Sequence, residues 1–165
     1  MQVFAISGFS GTGKTSLVEQ IIKALCEQGY IVVTAKSSMH DVKEGEGTDT
    51  WRHMQAGAKA AAILGPNGVI IRHRQGMKLR DLFAGTEADF LIVEGMKESR
   101  IPKLWCVGDK ELDNERIPES TKAIVGWINR KAMIDLGLPF LTPDNIEEIV
   151  EIVQQQAEDL SNLDV

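Results

Sequence analysis

A three-layer α/β fold, with a mostly parallel sheet and helices on both faces, follows from two patterns in the sequence. Short apolar runs rich in β-branched residues alternate with stretches of helical periodicity, as buried parallel strands alternate with their crossovers. A glycine-rich turn, Gly8-Phe9-Ser10-Gly11-Thr12-Gly13-Lys14-Thr15, joins the first apolar run to the first helical stretch. It reads G-x-x-x-x-G-K-T, the Walker A loop, in the strand–turn–helix setting that this loop requires. The predicted class is therefore a P-loop NTPase fold. At 165 residues the chain reads as a single nucleotide-binding domain, 1–165, large enough to bury a core without disulfides.

The elements follow in order. Val3-Phe4-Ala5-Ile6 is the first strand. Leu17, Val18, Ile21, Ile22 and Leu25 mark a helix ending near Gln28-Gly29, where glycine suits a left-handed cap. Tyr30 to Ala35 reads as a second strand, buried by its β-branched run. The polar, glycine-bearing segment from Ser37 to Thr50 is too charged for a core, and loops of this length usually serve function. Asp49 or Thr50 then caps a helix from Trp51 to about Ile63, which takes in the small-residue stretch Ala56 to Ala62. Gly65-Pro66-Asn67-Gly68 is a turn, Val69-Ile70-Ile71 a short strand and Met77 to Phe83 a short helix. Phe90-Leu91-Ile92-Val93-Glu94 is an apolar strand ending on a carboxylate, and Leu104 to Val107 and Ala123 to Trp127 complete the strands. Asp144 and Glu147 form a capping box for a last helix with Ile146, Ile149, Val150 and Val153 on one face, and 159–165 is expected to fray.

Composition narrows the class of partner. Apolar content of 43% and charged content of 25% are those of a soluble globular chain. A net charge of −6 argues against non-specific binding of nucleic acid or adhesion to anionic membrane. No apolar stretch reaches membrane-spanning length, and Met1-Gln2-Val3 runs straight into the first strand without a signal peptide, so a cytoplasmic protein is expected. Cys26 and Cys106 are far apart and lack C-x-x-C spacing, which points to reduced thiols without a catalytic role.

The Walker A residues carry the first chemical assignment. Gly8, Gly11 and Gly13 permit positive φ and close approach of backbone to an anion. Lys14 supplies a point charge for the β- and γ-phosphates and is a candidate catalytic residue. The Thr15 hydroxyl joins the shell of Mg²⁺, and Ser10, Thr12 and Ser16 complete the nucleotide-binding set. A P-loop site also needs an acid on a second strand. Asp89 and Glu94 bracket one strand, about 16 Å apart at the rise of an extended chain, so they cannot share a metal. Only Glu94 stands at the carboxyl end, where nucleotides bind such sheets, and it takes the Mg²⁺ role; Asp89 reads as a turn residue at the opposite edge.

Lys36 ends the second strand at the same face and is a candidate phosphate ligand, although a solvated lysine fits its position equally well. Asp41 and Asp49 follow on the loop. Asp49 is the stronger candidate to hold Mg²⁺ or orient water, while a plain helix cap explains it nearly as well. His40 and His53 lack metal-ligand spacing. Arg72-His73-Arg74 with Lys78 and Arg80 forms a basic patch, read either as a solvated face or as a receptor for a second anion. Asn129 and Lys131 follow the last strand, where many P-loop folds contact the base, but no N-K-x-D guanine signature occurs.

With these residues laid out, the chain resembles the molybdopterin-guanine dinucleotide biosynthesis protein B family, also called MobB. The resemblance rests on Gly8 to Thr15, the strand-end Lys36, and Gly47-Thr48-Asp49-Thr50-Trp51-Arg52-His53 leading into Ala56-Gly57-Ala58. It continues through Asp89-Phe90-Leu91-Ile92-Val93-Glu94-Gly95-Met96-Lys97 to Pro102-Lys103-Leu104, over the first two-thirds of the chain. It implies a GTP-binding homodimer with weak intrinsic hydrolysis that assists the molybdenum cofactor guanylyltransferase, with molybdopterin as a further ligand. It also implies that Thr15, Asp49 and Glu94 line the Mg²⁺ side and that 36–52 forms a lid. The family commonly places histidines just after the strand-end lysine; here Lys36-Ser37-Ser38-Met39-His40 keeps only His40.

Slow hydrolysis is expected independently, because no glutamine or arginine is placed to orient water or neutralise the transition state, a contribution of about 10³–10⁵ in rate. The alternative reading is a small-molecule kinase transferring the γ-phosphoryl group of ATP, with Asp49 or His40 as base. A metallocentre-insertion GTPase is disfavoured by the lack of a Cys/His cluster.

Overall fold

The computed structural model describes residues 1–38, 45–109, 117–127 and 137–165. In chain order its elements are β1 (Gln2–Gly8), α1 (Lys14–Glu27), β2 (Val32–Lys36), α2 (Asp49–Gln55), β3 (Ala60–Gly65) and β4 (Gly68–His73). They continue with α3 (Leu79–Leu82), β5 (Phe90–Glu94), β6 (Lys103–Gly108), β7 (Thr121–Gly126), β8 (Phe140–Leu141), α4 (Ile146–Gln156) and β9 (Glu158–Asp159). They form two compact units, Met1–Ser37 with Gly85–Val165, and Ser38–Ala84.

The first unit has the expected mostly parallel α/β sheet, although its two described helices, α1 and α4, pack on one face and not on both. Its seven-stranded sheet runs β2-β5-β1-β6-β7-β8, parallel throughout, with β9 pairing antiparallel to the start of β1. Alternation along the strands separates two faces. On one, Phe4, Ile6, Phe90, Ile92, Leu104, Cys106 and Val125 pack against Leu17, Val18, Ile21 and Leu25 of α1 and Ile149, Val150 and Val153 of α4. Both helices therefore cover that face. On the other, Trp105, Val107 and Ile124 form a second cluster joined by Phe9, Ile117, Leu138 and Phe140.

Three expectations in this unit are corrected. The second strand is not buried throughout: it lies at the sheet edge, its residues are half-buried or exposed, and Ile31 just before it is 58% exposed. A β-branched run alone does not distinguish an edge strand from a central one. The Asp144–Glu147 capping box does not form. Asn145 precedes α4 instead, and its Oδ1 accepts from Thr142 N (3.0 Å) and Thr142 Oγ1 (2.7 Å). The C-terminus does not fray: β9 pairs with Gln2 and Val3, Leu160 and Leu163 are buried, and Asp159 Oδ1 accepts from Ser161 N at 2.8 Å.

The second unit corrects the long helix expected over 51–63. Its helical part, α2, stops at Gln55, and Gly57 at φ 109° turns the chain where a side chain would be strained. The alanines that follow are β3, paired antiparallel with β4 from Ala60–His73 to Gly65–Gly68 around the expected turn. Alanine favours a helix in isolation; here cross-strand hydrogen bonding overrides that weak preference. Thr48, rather than Asp49 or Thr50, caps α2, its Oγ1 accepting from Trp51 N at 3.3 Å. Arg74 ties α2 to the hairpin by donating from Nε to Ala58 O (3.3 Å) and from Nη2 to Met54 O.

Candidate phosphate-binding site

The register of three neighbouring strands builds the site. Lys36 of β2, Glu94 of β5 and Ile6 of β1 stand level across the sheet, and adjacent strands lie about 4.8 Å apart. Beyond Ile6 the chain continues into the glycine-rich loop, which returns as α1 directly beside Glu94. Thr15 Oγ1 donates to both carboxylate oxygens of Glu94 (3.0 and 3.1 Å), and Lys36 Nζ pairs with Glu94 Oε1 at 3.0 Å. Glu94 is 13% exposed there, Lys36 63%.

The loop has the backbone its glycines allow. Gly8, Gly11 and Gly13 have φ of 137°, 76° and 81°. At Gly8 a Cβ would collide with the carbonyl oxygen of Cys106 on β6, so close approach as well as φ demands glycine. Thr12 Oγ1 and Lys14 Nζ both donate to Phe9 O, at 2.8 and 2.5 Å. The first turn of α1 has no side-chain cap and no acidic residue, so its N–H groups and positive dipole end face the loop. A helix start of this kind, beneath a lysine and a glycine-rich turn, suits an anion.

The pocket has a volume of about 240 Å³ and is lined by Ser10, Gly11, Thr12, Gly13, Lys14, Thr15, Ser16, Lys36 and Glu94. Gly8 lies just below it, at the end of β1. Burial draws the Lys14 ammonium below the ordinary lysine range, and Lys97 and Lys36 pull the same way against Cys106 and Glu94. Burial pushes the Cys106 thiol up to about 12, which keeps it protonated and unreactive. Both cysteines are free.

Asp49 belongs to the second unit, where it is the first residue of α2. At the other end of β5, Asp89 Oδ2 accepts from Ile31 N (2.8 Å) and Asp89 O from Gln2 N (2.8 Å), which ties together the amino ends of three strands. His40, Asp41, Asn129 and Lys131 lie outside the described residues. In the basic patch, the Arg74 side chain is committed to backbone carbonyls of its own unit.

Among the described residues no three His, Cys, Asp or Glu side chains gather as a ready-made metal cage. A hydroxyl and a carboxylate oxygen beside an anion site instead suit a hard cation such as Mg²⁺, which takes the rest of its ligands from phosphate and water. Two residues with clear roles in the geometry carried no chemical assignment in the sequence. Lys97 Nζ sits 4.8 Å from the centroid of the Phe9 ring, which packs edge-on against Trp105 at 5.7 Å. Lys103 is fully buried and bonded to the turn after Glu94. The sequence signals for it are a lysine opening an otherwise apolar strand and its place in the Pro102-Lys103-Leu104 stretch of the family resemblance.

No described helix is long and apolar enough to cross a membrane. The chain is 30% identical over 150 residues to the probable molybdopterin-guanine dinucleotide biosynthesis adapter protein of Bacillus subtilis, covering 87% of this chain and 86% of that one. It is 27% identical over 165 residues to the putative adapter protein of the same name from Methanocaldococcus jannaschii, covering 95% of this chain but only 62% of the relative. The crystal structure of Bacillus subtilis MobB superposes with a TM-score of 0.76 at 28% identity, over 96% of this chain and 99% of that one. The family model described as molybdopterin guanine dinucleotide synthesis protein B matches residues 3–129, which take in the whole glycine-rich loop, Glu94 and the turn that follows it. On that match, and on the fold it shares with Bacillus subtilis MobB, the chain belongs to the MobB family.

Proposed function

We propose that this chain is a GTP-binding adapter with weak, Mg²⁺-dependent GTPase activity that assists the guanylylation of molybdopterin. The observation that carries the reading is the cluster of Thr15, Glu94 and Lys36 at the mouth of the glycine-rich loop in a chain of this family. The loop and the α1 N-terminus hold the phosphates, with Lys14 on the β- and γ-oxygens. Thr15 and Glu94 receive Mg²⁺, which neutralises phosphate charge when bound. Among the described residues the pocket lining includes neither Gln nor Arg, which favours slow turnover, below about one per minute, and a switch or carrier role over that of a stand-alone enzyme.

The partner is the guanylyltransferase that joins GMP to molybdopterin, in keeping with the name adapter that the relatives bear. In a reconstituted reaction of transferase, molybdopterin and GTP, added protein raises the rate of dinucleotide formation and the Lys14→Ala variant does not. Equal rates with and without the protein would contradict the assignment.

The protein works as a homodimer. The β3–β4 hairpin supports this, because Ile63, Leu64, Val69, Ile70 and Ile71 are each more than half exposed on a ribbon with two open edges. Sedimentation equilibrium is expected to give twice the 18.2 kDa chain mass. A monomer at micromolar concentration would refute it.

A further inference from the structure

β5 and β6 run parallel on either side of β1, yet only residues 95–102 join them. Such a crossover ordinarily takes a dozen or more residues and a helix. The register shows why it is short here. Glu94 lies beside Ile6 and Lys103 beside Ala5, so β6 begins at the level where β5 ends. The chain crosses β1 at the level of Ala5 to Ser7 and has no need to return along the sheet. The crossing is tight: Gly95 has φ 104° and Met96, with a full side chain, φ 50°. That conformation is sparsely populated for such a residue and persists only where its surroundings impose it. Gly95 N donates to Ile6 O (2.9 Å), and Ser7 Oγ donates to Gly95 O (2.5 Å).

Lys103 secures the remainder of the turn. Its side chain is fully buried, and Nζ donates to Met96 O (3.1 Å), Lys97 O (2.7 Å) and Ser99 O (2.8 Å). An ammonium has three N–H donors and no acceptor, so three converging carbonyls match it completely. No described carboxylate lies within ion-pair distance of it, and burial pulls the group down to about 8, with Glu98 opposing. A cation is costly at such a position, and without it three inward carbonyls would lose their donor. The turn it holds carries two groups of the phosphate site. Glu94 at its start accepts from Thr15 and Lys36. Lys97 within it lies over Phe9, whose carbonyl receives Thr12 and Lys14.

We propose that Lys103 is a positioning residue for the nucleotide site: its ammonium fixes the 95–99 turn and thereby the placement of Glu94 and Lys97 against the glycine-rich loop. The inference rests on the nucleotide reading above, and Lys103 itself touches no nucleotide.

The test is calorimetric titration of the full chain with a slowly hydrolysed GTP analogue, with and without Mg²⁺, on wild type, Lys103→Met and Lys103→Gln. Folding is verified by circular dichroism at the same temperature. The expected result is a loss of about tenfold in the affinity gained from Mg²⁺ in Lys103→Met, while metal-free affinity stays within about threefold. A merely structural lysine would lower the melting temperature and leave the Mg²⁺ gain of the folded fraction unchanged; that outcome overturns the proposal. If Lys103→Met does not fold, Lys103→Gln, neutral and with two donors, carries the same comparison, and an undiminished Mg²⁺ gain in it overturns the proposal equally. Failure of wild type to bind in either condition would instead refute the nucleotide reading from which the inference starts.

Discussion

Lys14→Ala is expected to weaken nucleotide binding at least about 100-fold, close to 3 kcal/mol, while the fold survives. The lysine stands at the start of α1, half-exposed, and its ammonium bonds to Phe9 O within the loop. Phosphate oxygens draw the same ammonium more strongly than a neutral carbonyl does, because both partners then carry charge. Alanine removes this charge from the loop, where backbone N–H groups, hydroxyls and the α1 dipole remain and the other lining lysine, Lys36, is paired with Glu94. It leaves the core untouched, since the buried face of α1 is Leu17, Val18, Ile21 and Leu25. Titration with GTP and thermal unfolding read the two effects separately. Wild-type affinity in a folded variant would refute the placement of the phosphates.

Glu94→Gln is expected to remove most of the affinity gained from Mg²⁺, about tenfold, whereas Asp89→Asn changes it by less than about twofold. The two carboxylates bracket one strand and differ in what surrounds them. Glu94 faces Thr15 and Lys36 at the carboxyl end; Asp89 holds the Ile31 amide at the amino end. An amide in place of the Glu94 carboxylate is nearly isosteric but lacks the negative charge that makes a carboxylate oxygen the stronger ligand for a hard cation. Asn at 89 keeps an oxygen acceptor for Ile31 N, so its effect is confined to stability and stays near 1 kcal/mol or below. The reverse order of Mg²⁺ effects would mean that the cation sits elsewhere.

The features legible in the sequence were those that depend on neighbours along the chain. The glycine-rich loop is read from eight consecutive residues, and its flanking strand and helix from hydrophobic period alone. The carboxylate at the end of Phe90–Glu94 is visible because an apolar strand stops on it. Harder features depend on pairing between distant segments. Ala60 to Ala62 suits a helix until Gly57 ends it and β4 pairs with it. The edge position of β2 follows from strand order, which periodicity does not encode. The contacts of the last residues require Asp159 and Glu158 to meet Gln2 and Val3 from the far end of the chain. The Lys103 cage depends on the register of β6 against β1, so its three carbonyl partners are not encoded in the local sequence, although Pro102-Lys103 is part of the family resemblance.

The most direct measurement is equilibrium titration of the purified chain with GTP and with ATP, each with and without Mg²⁺. Clear preference for GTP is expected, strengthened by Mg²⁺, with turnover slower than about one per minute. Preference for ATP, or phosphate transferred to an added acceptor and not released to water, would contradict the adapter reading and point to a kinase on the same fold.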